Sequence, residues 1–178
     1  RLDGADVLGA LNPDDYDLHN FLAHLLTMKY CEQQYPSENY LIQNLIRLDS
    51  YRHWFVSAAE KNRRPDFLLL QVPMDNLKDD IVKIEATLIE CKMGQRSDDY
   101  IVEAEEQLER GLEVLSQHWN PESTDTARRY WYAQLYRALI FSNINLADDS
   151  SEYFKLVSKV QRIVQGEFKN EWRRKILA

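Results

Sequence analysis

Three residues in the middle of the chain have the types and spacing for phosphate-ester chemistry. Asp66 follows Pro65 at the head of one short apolar run, and Glu90 and Lys92 close another, with 23 residues between Asp66 and Glu90. Side chains alternate along a strand, so Glu90 and Lys92 share a face. If the two runs pair antiparallel, the start of one lies beside the end of the other. Asp66, Glu90 and Lys92 then meet at one edge of a sheet. Two carboxylates that close repel each other and call for a cation. Mg2+, with Mn2+ as a substitute, suits oxygen ligands and keeps several waters. Such a metal lowers the pKa of a bound water and polarises a phosphate oxygen. A neighbouring lysine orients the water or stabilises negative charge in the transition state. This is equipment for hydrolysing a phosphodiester.

The elements that must position these residues follow from periodicity. Asn12-Pro13-Asp14-Asp15 reads as a turn into a helix that runs to about Gln34, with Leu18, Phe21, Leu22 and Leu25 on one stripe. Ser37 is a plausible N-cap after Pro36, and a second helix is expected behind it. Its apolar side would carry Leu41, Ile42, Leu45, Ile46, Trp54 and Phe55, ending before the polar run 60–64. Asp66 to Val72, bounded by Pro65 and Pro73, reads as a strand buried on both faces. Ile81 to Lys92 alternates in its first half and reads as its antiparallel neighbour. A third helix begins near Ser97, with Ile101, Ala104, Leu108, Leu112, Leu115 and Trp119 on one stripe.

Residues 126–146 are ambiguous. Trp131, Leu135 and Ala138 fit a helix, and Arg137 to Asn145 could hold a strand. A last helix is expected to carry Phe154, Val157, Val160, Ile163 and Val164 on toward Trp172 and Ile176. The class is α/β or α+β, a small mixed sheet with a strand hairpin flanked by helices. The chain reads as a single domain: helices over 1–60, the motif-bearing hairpin and helix over 61–120, and a helical part over 121–178.

In these residues the sequence resembles the PD-(D/E)XK nuclease superfamily, with its restriction-endonuclease-like fold. Pro65-Asp66 matches the first half of the motif and Glu90-Cys91-Lys92 the second. The resemblance covers residues 60–118 best. It implies Asp66, Glu90 and the Cys91 carbonyl as metal ligands and Lys92 as the catalytic lysine. It implies a supporting glutamine on the next helix, for which Gln107 is the candidate and Gln95 a weaker one. It also implies an upstream acid, and Glu38, Asp49 and Glu60 are all open. The activity implied is Mg2+-dependent DNA cleavage within a larger restriction, phage-defence or DNA-processing protein, and a homodimer is compatible with it. The family core carries at least one further strand after the third helix, for which 126–146 is the ambiguous candidate. The alternative is a catalytically silent nuclease-fold or helical scaffold, with Trp54, Tyr130, Trp131 and Trp172 as interface anchors.

Acid-x-Lys alone carries little information. Glu167-Phe168-Lys169 is a second copy, expected on the last helix, where its side chains would splay apart. The first copy is distinguished by context: it ends a strand and is preceded by Pro-Asp at the head of another.

Composition bounds the rest. The chain has 178 residues, 44% of them hydrophobic, and a net charge of −7. It is long enough for a real core and too apolar for disorder. Two cysteines exclude a disulfide scaffold or a four-cysteine zinc site. Apolar runs stop at four residues, so no membrane span is read. The chain opens on Arg1, which reads as a processed chain or a domain cut from a longer protein, with a cytoplasmic, reducing compartment as the default. No phosphate-binding glycine loop is present, which excludes an intrinsic ATPase.

Charge is uneven: residues 97–125 hold one basic and nine acidic side chains, and 126–178 hold ten basic and five acidic. Overall acidity is unusual for DNA binding, which needs positive charge close by. Arg63, Arg64, Arg96, Arg128 and Arg129 are the candidates near the site, and Arg173, Arg174 and Lys175 form a distal cluster. His19 and His24 do not share a helix face as a metal pair would. Cys31 lacks the setting of a nucleophile, and Cys91 reads as a small core residue facing away from Glu90. Tyr130, Trp131, Tyr132 and Tyr136 read as packing residues before base-stacking ones.

Overall fold

The computed structural model describes residues 16–55, 64–92, 98–147 and 150–178. Helix α1 spans Tyr16–Gln34. Strand β1 spans Tyr40–Arg47, and a 3-10 segment, Leu48–Trp54, follows it. Strands β2 (Phe67–Pro73) and β3 (Val82–Cys91) form the hairpin. Helices α2 (Asp98–His118), α3 (Arg128–Ile140) and α4 (Ser151–Gln161) come next. Strand β4, Phe168–Leu177, is last. The class is α+β.

The sheet order is β1-β2-β3-β4. The first three strands are antiparallel, and β4 runs parallel to β3. A parallel partner needs a long crossover; here α2, α3 and α4 supply it. The hairpin turn is held by the buried Asn76. Its amide donates to Asp79 and to the Ile81 carbonyl, and its Oδ1 accepts from the Lys83 amide.

The sheet has two unequal faces. Leu68, Leu70, Ile84, Ala86 and Leu88 join Trp54, Trp119, Leu135 and Leu156 in the main core. Phe67, Leu69 and Ile89 point the other way, toward Cys31 of α1. Burying one such Leu or Ile contributes roughly 1.5–3 kcal/mol, so β2, buried from Phe67 through Val72, anchors both layers.

Several expectations are corrected or resolved. The helix expected behind Ser37 is instead β1 followed by a 3-10 segment. Leu41, Ile42, Leu45 and Ile46 imitate a helical stripe because a register shift between Tyr40 and Ile42 buries two consecutive residues. Most of region 126–146 resolves as helix α3, Arg128–Ile140. The strand considered over Arg137–Asn145 is reduced to one bridge, Ile42 to Ile144.

The last helix does not reach Trp172. It ends at Gln161, passes through a 3-10 turn, Arg162–Gln165, and is stopped by Gly166 at φ +86°. That left-handed conformation suits glycine. Glu167-Phe168-Lys169 therefore enters β4 rather than a helix. Phe168, Trp172 and Ile176 are four apart, a spacing that fits one face of a helix and also one face of a strand. The strand that follows the third helix is β4, outside the 126–146 candidate, and the parts 1–60 and 121–178 each contribute a strand rather than helices alone.

Candidate active site

Phe67 lies opposite Ile89 in the hairpin register, so Asp66 comes opposite Glu90. Directly opposed residues in an antiparallel pair have Cβ atoms about 5 Å apart. Two backbone amides fix the carboxylates. Asp66 N–H donates to Glu90 Oε2 at 3.1 Å, and Cys91 N–H donates to Asp66 Oδ2 at 3.0 Å. Each acid thus orients the other's strand and keeps one oxygen turned elsewhere.

Lys92 lies one step beyond β3, tied down by its own N–H to the Leu177 carbonyl of β4 at 2.8 Å. Its ammonium lies 3.1 Å from Glu90 Oε1 and donates to Gln107 Oε1 at 2.8 Å. Glu103 is a third partner, at 3.4 Å. Gln107 and Glu103 are four apart on α2, one turn of a helix. The helix comes this close because Gly111 faces Pro65, where a Cβ would meet the ring carbons at 2.5 Å.

The structure therefore brings Asp66, Glu90, Cys91, Lys92 and Gln107 around one open cleft of about 350 Å³. Asn20 and Ala23 of α1, Phe67, Arg47 and Asp49 complete its lining. Of the three upstream acids, Asp49 reaches the cleft. It pairs with Arg64, with Arg52 at 3.5 Å and with Arg47 at 3.8 Å. Glu38 sits before Tyr40, at the far end of β1, and does not line the cleft. Glu60, Gln95, Arg63 and Arg96 lie outside the described residues. Arg128 and Arg129 open α3 and do not line the cleft, while Arg173 is occupied by Glu85 and Glu171, each at about 3 Å.

Burial drives the electrostatics. Glu90 is 2% exposed, and that burial, with Asp66 beside it, pushes its carboxyl up to about 7 although Lys92 pulls it back. Burial also raises Asp66, against the pull of the Cys91 amide and of Lys92, Arg64 and Arg47. Burial works against the Lys92 ammonium, but Glu90 and Glu103 overcome it and hold the pKa above the ordinary lysine value. The pair is thus short of positive charge. Asp66 Oδ1 accepts no hydrogen bond among the described residues.

A hard divalent cation fits such a donor set: carboxylate oxygens, a strand carbonyl at Cys91 and room for water. Among the described residues no cluster of three or more His, Cys, Asp or Glu side chains is placed to hold a metal.

The other candidates fall into packing. Cys31 and Cys91 share the smaller core cluster, and burial pushes both thiols up to about 11, which suppresses the nucleophilic thiolate. His24 stacks on Phe67 at 5.6 Å and His118 on Trp131 at 3.6 Å. Trp54, Trp131 and Tyr132 are buried, so neither Trp54 nor Trp131 is an exposed interface anchor. Tyr130 is half-exposed.

Sequence reasoning passed over Arg47, Asn20 and Glu103. A signal for Arg47 existed. Read as a strand, β1 delivers its last residue opposite Phe67, at the same sheet end as Asp66. Among the described residues no helix is long and apolar enough to cross a membrane. Compared with protein-family models, curated proteins and solved structures, the chain matches none.

Proposed function

We propose that the chain is a metal-dependent DNA endonuclease domain that hydrolyses phosphodiester bonds, working within a larger restriction, defence or DNA-processing protein. The observation that carries this reading is the opposed, buried pair Asp66–Glu90, each carboxylate oriented by the other strand's amide and with a lysine on the rim. A surface ion pair needs none of this. Exposed Glu–Lys pairs contribute little, and an acid opposed to a second acid is destabilising unless something binds there.

In this reading Asp66, Glu90 and the Cys91 carbonyl hold Mg2+ or Mn2+. The bound cation supplies an acidified water and charge neutralisation at the phosphate. Lys92, beside Glu90, would orient that water and offset the charge developing on the phosphoryl oxygens. Gln107 accepts from Lys92 and fixes its direction. Asp49, held by three arginines, stands at the upstream-acid position and places guanidinium groups beside the cleft.

The test is incubation of the purified chain with supercoiled plasmid and with circular single-stranded DNA. Cleavage that requires Mg2+ or Mn2+, stops with a chelator and is lost in Asp66→Ala supports the reading. Cleavage that Asp66→Ala leaves intact, or no cleavage of either substrate, contradicts it.

A further inference from the structure

The cleft has two walls of opposite character. Helix α2 carries seven carboxylates and a single arginine over residues 98–118. Its Glu103 and the site's own Glu90 already occupy the ammonium of Lys92. The opposite wall, Arg47 to Trp54 with Arg64 beside it, carries three arginines and one aspartate. Within a Debye length of about 8 Å these charges are incompletely screened. A polyanion entering the cleft is repelled along α2 and drawn over the 3-10 segment.

That segment leads to a second cavity. Tyr51 and His53 on one side, Asn44 of β1 below, and Gln134, Arg137 and Phe141 on the other enclose about 480 Å³. The same short segment presents Asp49 to the first cleft and His53 to the second. Phe141 caps α3 and is 80% exposed, a large ring with no part in the core. Arg137, which shares the cavity lining, is exposed, and so is Arg52 between Tyr51 and His53 in the chain. An exposed aromatic ring beside an unburied guanidinium group, in a cavity that shares its 3-10 segment with the Asp66–Glu90 cleft, has the composition of a base-stacking platform.

On the reading that the Asp66–Glu90–Lys92 cleft cuts DNA, we propose that the Tyr51–His53–Phe141 cavity receives an unpaired base of the strand being cut. Phe141 stacks on the base, and Gln134 and His53 face its polar edge. Arg52 and Arg137 meet the flanking phosphates. The substrate class is then DNA with a single-stranded stretch or junction, in preference to uninterrupted duplex.

The test is binding of a short single-stranded oligonucleotide carrying 2-aminopurine, whose fluorescence is quenched by stacking, to the full chain in the presence of a chelator. Saturable quenching by the wild type is expected. Phe141→Ala, at an exposed position that leaves the melting temperature unchanged, weakens binding on the order of 10-fold and abolishes the quench. Phe141→Tyr retains both. Arg137→Ala keeps the quench and lowers the salt dependence by about one phosphate contact. Equal quenching and affinity in wild type and Phe141→Ala overturn the proposal, as does absence of quenching. If the same protein preparation, assayed without chelator and with Mg2+, still shows metal-dependent plasmid cleavage, only the base subsite falls. If that is absent too, the nuclease reading falls with it.

Discussion

Glu90-Cys91-Lys92 and Glu167-Phe168-Lys169 are the same three-residue pattern on neighbouring parallel strands, yet they sit at opposite ends of the sheet. The first closes β3 and the second opens β4. Glu90 is 2% exposed and opposed by Asp66 across the hairpin. The Glu167 side chain is 45% exposed and pairs with Arg162 at 2.6 Å, a partner five residues away. Lys92 lies among Glu90, Glu103 and Gln107. Lys169 stands across from Lys83 in the register. The pattern is therefore not what makes chemistry. Burial makes ionising Glu90 costly, and on the proposed reading the second acid beside it turns that cost into affinity for a cation.

The largest expected effect separates the two copies outright. On the proposed reading Glu90→Gln removes a ligand and should lower metal-dependent cleavage by at least about 100-fold, with weaker Mn2+ binding in calorimetry. Glu167→Gln should leave both unchanged. Equal effects on the two would dissolve the distinction.

Gly111→Ala acts next, through packing. Alanine ordinarily improves a helix by about 1 kcal/mol over glycine. Here its Cβ would meet Pro65 at 2.5 Å, so α2 has to move. A net loss of about 1–3 kcal/mol in chemical denaturation is expected, together with reduced cleavage because Gln107 rides on the same helix. A stabilised, fully active variant would show that the contact of α2 with Pro65 is not tight.

The raised acids also predict a pH dependence with a definite sign. Glu90 titrates near 7 in the folded chain against 4.5 when exposed. Between those values the folded state binds more protons, so raising the pH favours unfolding. In the absence of divalent metal the melting temperature should fall from about pH 5 to pH 7.5, by on the order of 3 kcal/mol of stability at most. Mg2+ or Mn2+ should restore it at neutral pH, and Glu90→Gln should flatten the profile. A metal-free melting temperature that rises over the same interval would contradict the burial argument.

Gln107→Ala is the mildest change. It frees Lys92 from one partner while Glu90 and Glu103 remain. About a 10-fold loss of cleavage, with unaltered Mn2+ affinity, would mark Gln107 as a positioning residue. A matching loss of metal affinity would place it nearer the ion.

The hairpin and its flanking helices were legible because local signals agreed. Prolines bound β2, an alternating run marks β3, and Ile101 to Trp119 repeat at helical spacing in α2. The two outer strands were not, for separate reasons. In β1 a register shift buries Leu41 and Ile42 together, so alternation fails where it matters. In β4 the spacing of Phe168, Trp172 and Ile176 fits helix and strand alike, and only Gly166 marks the break.

The site followed the same division. Asp66, Glu90, Lys92 and Gln107 lie on the legible elements, whereas choosing Asp49 over Glu38 required knowing where β1 runs. Arg47 was hidden for the same reason. Tertiary pairing, not local propensity, decided those positions.

The most direct measurement is cleavage of supercoiled plasmid in Mg2+ by Lys92→Ala and Lys169→Ala, side by side with the wild type. Loss of cleavage in Lys92→Ala, with full activity in Lys169→Ala and both variants still folded at the assay temperature, is the predicted result. Wild-type cleavage that persists undiminished in Lys92→Ala would contradict the assignment of this site.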